Sequence, residues 1–287
     1  MENQHTYLAY GSNLNEKDWK RFCERTNFPV DLLRYKGKVR LPDYQLVFDR
    51  YSNSRQGGVL NIKRAVGHYV DAIAFSTDDQ GIEALRLKEG HPFAYVETHV
   101  TALQEDGSEL DALTYIVPEA DTHNFVAPTG EYYEICKEGY EAFSLCKNNL
   151  TLAANNKETQ CLDALFTYGT LMRGEKRHSC IANYEHDSSN VNFALMGTVN
   201  GKLTTTGSFP GLNQKYEETT HGDFLRFSNI AEVLVTTDTI EGFDGFGSNN
   251  NFFRRTIAEV NTNGNKPELA WIYVHEADLE FDMKLND

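Results

Sequence analysis

A motif near the start of the chain returns in its second half. Tyr7-Leu8-Ala9-Tyr10-Gly11-Ser12-Asn13-Leu14 is echoed by Leu165-Phe166-Thr167-Tyr168-Gly169-Thr170-Leu171-Met172. Both read as a short apolar strand running into a Tyr-Gly-Ser/Thr turn, and each precedes a polar stretch of helical character, Asn15 to Arg25 and Arg173 to Ala182. A second echo lies deeper in each half. Leu87-Lys88-Glu89-Gly90 is followed at Tyr95 by the strand-like Val96 to Val100, and Thr239-Ile240-Glu241-Gly242 is followed at Phe253 by Arg254 to Val260. The interval from Tyr10 to Glu89 nearly equals that from Tyr168 to Glu241. Two matches in one order at nearly equal separation carry more weight than either alone, so the chain reads as a tandem duplication.

The 287 residues suit two domains of ordinary size. The expected boundary lies near residue 150, with domains at 1–150 and 160–287. Glu131 to Lys147 spaces Tyr132, Ile135, Cys136, Gly139, Phe143 and Cys146 by threes and fours, which predicts an amphipathic helix closing the first domain. Glu131, Glu134, Glu138 and Glu141 on its other side read as a solvated face. Asn148 to Leu150 and Asn155 to Thr159 read as a polar linker. Strands are predicted at Gly58–Ile62, Tyr69–Phe75, Val96–Ala102, Leu113–Val117, Val233–Val235 and Leu269–Val274, with hairpin turns at Glu105–Ser108 and Asn261–Asn265. Short strands with two or three helices per half, and no regular strand–helix alternation, point to an α+β fold built on a small barrel or curled sheet.

Composition narrows the partners. Lys and Arg total 27 against 42 Asp and Glu, a formal charge of −15. Such a surface repels phosphate backbones and anionic lipid, so neither nucleic acid nor membrane is the expected partner. No stretch reaches the roughly 18 apolar residues of a spanning helix. The first residues lack the features of a signal peptide. Five widely spaced cysteines, without a CxxC, fit neither a disulfide framework nor a zinc ribbon, so a reducing cytoplasm is the expected compartment. None of them carries a nucleophile signature. His178, Cys180 and His186 lack a zinc-ligand spacing, and a helix surface accounts for them better.

The repeated residues have a chemistry of their own. In Tyr10-Gly11-Ser12-Asn13, glycine lets the backbone turn sharply and successive N–H groups open a helical turn, an arrangement suited to a carboxylate or a developing oxyanion. A tight turn with no ligand is the plainer reading of the tetrapeptide alone. It is no dinucleotide or P-loop fingerprint, so a nucleotide cofactor gains no support. Glu89 and Glu241 each stand before a glycine. One reading is a solvated glutamate at a glycine-capped helix end; the other is a lone carboxylate acting as general acid and base. Recurrence after the second Tyr-Gly turn favours the latter, although common ancestry would also preserve a structural glutamate.

Together, Tyr-Gly-Ser-Asn-Leu at the opening of a domain, the strand Gly57-Gly58-Val59 and Glu-Gly followed by Tyr resemble the γ-glutamylcyclotransferase-like superfamily. The first domain resembles it from about residue 5 to 150, closing helix included. The second half, with Phe209-Pro210-Gly211-Leu212 and His221-Gly222-Asp223 beside its Tyr-Gly and Glu-Gly motifs, is similar to smaller bacterial members and the γ-glutamylamine-type branch. The resemblance implies two tandem copies of a small mixed β-barrel with flanking helices. It also implies a small-molecule γ-glutamyl substrate whose own amine attacks its γ-carbonyl, closing 5-oxoproline and expelling an amine or amino acid without metal or cofactor. Carried over, Glu89 is the acid/base of the first domain, and Tyr10, Gly11, Ser12, Asn13 and Leu14 form its binding turn with Tyr95 nearby. Glu241 and the turn Tyr168, Gly169, Thr170 and Leu171 correspond in the second. Burial is expected to raise the pKa of a glutamate that works both ways.

The second domain departs from the pattern. Thr170-Leu171 replaces Ser12-Asn13, which removes an amide, and Phe253 replaces the usual Tyr. Another substrate, or a silent site, follows as an alternative to two competent sites. The loop Gly245–Asn251 is expected to border its pocket as a lid. Two rival functions stay open: a binding protein that kept the fold without turnover, and an enzyme acting on γ-glutamyl groups attached to a protein or carrier.

Overall fold

The computed structural model describes residues 3–181, 191–206, 209–262 and 266–275. The chain forms two compact units, Met1–Gln160 and Cys161–Asp287.

In the first unit, β1 (His5–Ala9) buries Tyr7, Leu8 and Ala9 in succession, as a strand covered on both faces does. A long antiparallel ribbon follows, β2 (Arg34–Ser52) and β3 (Gly57–Thr77), paired from Arg34↔Ser76 to Ser52↔Gly57. Register shifts at Tyr35/Gly37, Pro42/Tyr44 and Phe48/Arg50 bend it. The segments Gly58–Ile62 and Tyr69–Phe75, expected as two strands, are both parts of β3. β2 is hidden in the sequence because charged residues such as Lys36, Lys38 and Arg40 break up its apolar run. β4 (Val96–Gln104) and β5 (Glu109–Ile116) form a hairpin. A parallel contact between Tyr7 of β1 and Leu113 of β5 closes a barrel in the order β1-β3-β2-β4-β5.

Helices flank the barrel. Asn15 caps α1 (Glu16–Thr26), which buries Trp19, Phe22 and Cys23. Asp78 caps α2 (Asp79–Glu89), which Gly90 ends at φ +65, a conformation that glycine adopts without cost. α3 (Gly130–Ala142) buries Tyr132, Cys136, Gly139 and Tyr140 and exposes Glu131, Glu134, Glu138 and Glu141. It stops before the expected Lys147, and Cys146 is exposed rather than part of a buried stripe. Residues expected as linker instead form α4 (Asn148–Ala154), because Leu150 and Ala153, one turn apart, find a buried place.

The second unit contains β6 (Ala164–Thr167), β7 (Val191–Asn200), β8 (Lys202–Thr206), β9 (Phe209–Asn213), β10 (Thr219–Phe227), α5 (Ile230–Glu241), β11 (Arg254–Val260) and β12 (Glu268–Val274). Its sheet runs β11-β12-β6-β10-β7, and a bridge between Thr198 and Asn261 brings β7 back beside the end of β11. The circular order is therefore that of the first barrel. The parallel contact recurs at Leu165↔Trp271, and these partners follow Tyr7 and Leu113 at the interval that separates Tyr168 from Tyr10. The fold is α+β in two tandem copies.

Two local expectations fail here. Val233–Val235 lies in helix α5, not a strand: Ile230, Val233, Leu234, Thr237 and Glu241 are buried, and that helical spacing overrides β-propensity. The segment after Met172 runs through turns until Ser179 instead of one helix from Arg173. Ala182, His186 and Asn263–Asn265 lie outside the described residues.

Candidate active site

Gly90 stops α2 immediately after Glu89, with its N–H bonded back to the carbonyls of Arg86 and Leu87. That stop leaves the Glu89 carboxylate at one end of the barrel, where the Tyr10-Gly11 turn also arrives. The Asn13 amide donates to Glu89 Oε1 at 2.6 Å and to the Tyr7 hydroxyl at 2.7 Å. These residues line a pocket of about 310 Å³ with Tyr10, Gly11, Ser12, Leu60, Tyr95, Tyr115 and Tyr132.

The tyrosines are fixed by the backbone around them. Tyr10 donates to the carbonyl of Tyr115 at 2.6 Å, Tyr95 to that of Leu60 at 2.8 Å, and Tyr140 to that of Tyr10 at 3.1 Å. Burial pushes the hydroxyls of Tyr7, Tyr10, Tyr95 and Tyr132 well above their ordinary pKa, so they stay neutral. Burial also raises Glu89, against the opposing pull of Lys88, the Asn13 hydrogen bond and Arg55. Asn13 Oδ1 is buried without a partner, an acceptor that a bound N–H group could satisfy.

A wider groove of about 920 Å³ shares Ser12, Glu89, Tyr95 and Tyr132 with this pocket and is also lined by Arg50, Arg55 and Lys88. Asp18, 6% exposed, receives Arg55 at 2.7 and 2.9 Å and Lys88 at 2.7 Å. Burial works against its charge, but the bonds from Arg55 and Lys88 outweigh that and hold its pKa below the usual value. Three cationic side chains thus line the groove, two of them paired with Asp18, in a protein of net charge −15.

The second pocket, of about 410 Å³, repeats the plan with fewer polar groups among the described residues. Tyr168 donates to the carbonyl of Tyr273 at 2.7 Å and accepts from the Leu212 N–H at 3.1 Å. Gly242 ends α5 directly after Glu241, at φ +63. Leu165, Leu171 and Phe253 occupy the positions of Tyr7, Asn13 and Tyr95 in the repeat, so Glu241 has no amide from the turn. It is 7% exposed, and burial pushes it up to about 7 despite Arg177 nearby. Asp223, from the His221-Gly222-Asp223 motif, holds the turn by accepting from the Arg173 N–H and guanidinium at 2.8 and 3.0 Å.

Most residues expected in the sites converge. Tyr10, Gly11, Ser12, Asn13, Glu89 and Tyr95 line the first pocket, and Tyr168, Thr170, Leu171 and Glu241 the second. Two do not. Leu14 is buried in the core against Gly139 of α3. Gly169, at φ +60, is not among the lining residues, although its Cα lies close against Pro210, which is. Tyr7, Leu60 and Tyr115 in one pocket, and Phe166, Thr167, Arg177, Pro210 and Tyr273 in the other, were not anticipated from sequence, and Tyr132 was expected in the core. Tyr115 and Tyr273 were within reach, because they too stand at the interval of the repeat. The loop Gly245–Asn251 contributes no lining residue among those described; it closes on itself through Asn251, which accepts from the Asp244 N–H at 2.7 Å and donates to the Gly245 carbonyl at 2.8 Å. His178 bonds the carbonyl of Leu171 and Cys180 is exposed. Among the described residues no His, Cys, Asp and Glu cluster could hold a metal, and no helix is long and apolar enough to cross a membrane.

The family model described as gamma-glutamyl cyclotransferase, AIG2-like, matches residues 7–134 and again 165–285. The chain belongs to that family, with one copy in each unit. Solved structures similar to it include a gamma-glutamyl cyclotransferase (22% identity, covering 56% of this chain and 90% of that one, TM-score 0.44). A human uncharacterized protein is similar at 22% identity (58% and 93% covered, TM-score 0.44). YkqA from Bacillus subtilis matches at 12% identity over 95% of this chain and 84% of its own, with a TM-score of 0.32. A search of curated proteins returns no match.

Proposed function

We propose that the protein is a cyclotransferase that closes the γ-glutamyl group of a small molecule to 5-oxoproline and releases the attached amine. The observation that carries this reading is the meeting in one pocket, in both units, of the Tyr-Gly turn and a glutamate far along the chain from it. In the first unit the N–H groups opening the turn Ser12–Leu14 face the γ-carbonyl oxygen, and Asn13 Oδ1 accepts from the substrate ammonium. Glu89 takes a proton from that ammonium. The freed amine forms a bond to the γ-carbon, and the bond from that carbon to the leaving nitrogen breaks as Glu89 returns its proton to that nitrogen. The second proton, shed as the ring nitrogen becomes an amide, passes by way of Glu89 to the released amine, which departs as an ammonium. Since the attack is intramolecular, holding the γ-glutamyl chain folded supplies much of the acceleration, and the acid/base adds about 10²–10⁴-fold. Glu241 plays the same part in the second unit, in a pocket with fewer hydrogen-bonding groups and therefore with a different preference for the leaving amine.

The groove beside Glu89 supports a second reading of the substrate, in which the γ-glutamyl group is attached to a protein or carrier, since about 920 Å³ of open space adjoins the reacting centre. Both are tested by incubating the protein with γ-glutamyl amino acids, γ-glutamylamines and a γ-glutamyl-modified peptide and measuring 5-oxoproline by mass spectrometry. Product from any of them supports the activity, and the preferred substrate identifies the leaving group. Ligand binding without product would establish a binding protein instead.

A further inference from the structure

One helical turn before each glutamate, the end of its helix is tied to the barrel by an ion pair, and the two pairs have opposite polarity. In the first unit Arg86 of α2 donates through Nε and Nη2 to both carboxylate oxygens of Glu97 on β4, at 2.8 and 2.9 Å. In the second, Asp238 of α5 receives Arg255 of β11 at 2.8 Å. Asp238 follows Arg86 at the interval that separates Glu241 from Glu89, and Arg255 follows Glu97 at the interval that separates Tyr168 from Tyr10. The positions are equivalent and the charges exchanged.

The same tyrosine completes both. Tyr115 donates its hydroxyl to Glu97 at 3.1 Å, and Tyr273 donates to Asp238 at 2.6 Å, so the hydroxyl follows the carboxylate from strand to helix. Tyr115 faces Glu97 across β4 and β5, as Tyr273 faces Arg255 across β11 and β12. Their carbonyls accept the hydroxyls of Tyr10 and Tyr168 from the binding turns. One tyrosine thus joins the helix carrying the glutamate to the turn that holds the substrate. The surroundings differ: Arg86 is half-exposed, whereas Arg255 is 1% exposed with its guanidinium about 5 Å from the ring centres of Phe243, Phe246 and Trp271. An ordinary surface pair would have no reason to keep its place, its tyrosine and its distance from the glutamate while its charges traded sides.

We propose that Arg86 with Glu97, and Asp238 with Arg255, are positioning pairs that set the distance between each acid/base glutamate and its binding turn. What matters is the bridge from helix to strand to tyrosine, not which element carries which sign. The proposal rests on the cyclotransferase reading for its kinetic test, but its structural test is independent of it.

The experiment uses the full chain carrying Glu241→Gln, so that only the first site is read. Arg86→Asp and Glu97→Arg each place like charges together; the double variant rebuilds in the first unit the polarity of the second. Each single change is expected to lower kcat for 5-oxoproline release by about ten- to a hundredfold, the scale of a small displacement of a reacting group, with KM little changed. The double variant is expected to recover to within roughly threefold of its parent. Hydrogen exchange at the amides of Glu89 and Gly90 should accelerate in the single variants and return to its original rate in the double. Single variants as active as the parent, or a folded double variant as slow as either single, overturn the proposal. If the parent releases no 5-oxoproline from any γ-glutamyl probe, the reaction is wrong; unchanged exchange in the single variants then overturns the positioning pair as well, and local loss with recovery supports it.

Discussion

The hydroxyl of Tyr10 donates to the carbonyl of Tyr115 at 2.6 Å, and in the second unit Tyr168 repeats the bond to Tyr273 at 2.7 Å. Each joins the end of the first strand of its unit to the neighbouring parallel strand, below the turn that forms the pocket wall. Tyr10→Phe leaves the Tyr115 carbonyl buried without that donor. The expected cost is about 1–3 kcal/mol of stability, read as a fall in the urea midpoint, with KM for the γ-glutamyl substrate raised because the turn loses its anchor.

Asn13 distinguishes the two glutamates. Its hydrogen bond favours the charged form of Glu89, whereas Leu171 offers Glu241 nothing comparable. In Asn13→Leu, burial acts on Glu89 unopposed by that bond, and its pKa rises further. The reaction needs the carboxylate to accept a proton, so the acid limb of the kcat/KM profile should move to higher pH. A rate profile measured in the Glu241→Gln background checks this; an unmoved limb contradicts the role given to Asn13.

Glu241 bears on stability too. Its pKa rises from 4.5 to about 7 on folding, so between those values the folded state holds a proton that the unfolded state has released. Stability from this group is fully present below pH 4.5, declines as pH rises, and levels off above about 7. The full difference is about 3 kcal/mol. Glu241→Gln removes the dependence. The variant should melt higher than the parent at pH 8 and nearly with it at pH 4.5, as calorimetry at the two pH values would show.

Arg50 lines the groove beside Glu89, near the carbonyl of Phe93 at 3.4 Å and the carboxylate of Asp121 at 3.8 Å, and the proposed reaction would release its amine there. A leaving group that carries a carboxylate gains attraction from Arg50, Arg55 and Lys88 that a neutral amine does not. Arg50→Gln is expected to raise KM for a γ-glutamyl amino acid by roughly fivefold, about 1 kcal/mol, and to leave a neutral γ-glutamylamine unaffected. Rising salt should weaken the same preference in the parent.

The duplication was legible because it is written in short motifs whose spacing survived. Tyr10 and Tyr168, Glu89 and Glu241, and the helix around Tyr132 could all be placed from residue type and interval. Val233–Val235 reads as a strand from its β-branched residues although it forms part of a helix, and α4 reads as a linker because only Leu150 and Ala153 mark it. Tyr7 and Arg177 enter the pockets through barrel closure and turn geometry, which no local pattern encodes. The exchanged polarity of Arg86–Glu97 and Asp238–Arg255 was equally hidden, since unlike residues at equivalent positions break a repeat until the structure pairs them.

In the proposed reaction Glu89 performs proton transfer for an intramolecular cyclisation. The most direct measurement is single-turnover release of 5-oxoproline from the preferred γ-glutamyl substrate, comparing the parent with Glu89→Gln, Glu241→Gln and the double variant, each shown to be folded. Glu89→Gln is expected to remove at least about a hundredfold of the first site's rate, Glu241→Gln to leave it intact, and the double variant to be inactive. Undiminished 5-oxoproline from the double variant would contradict it.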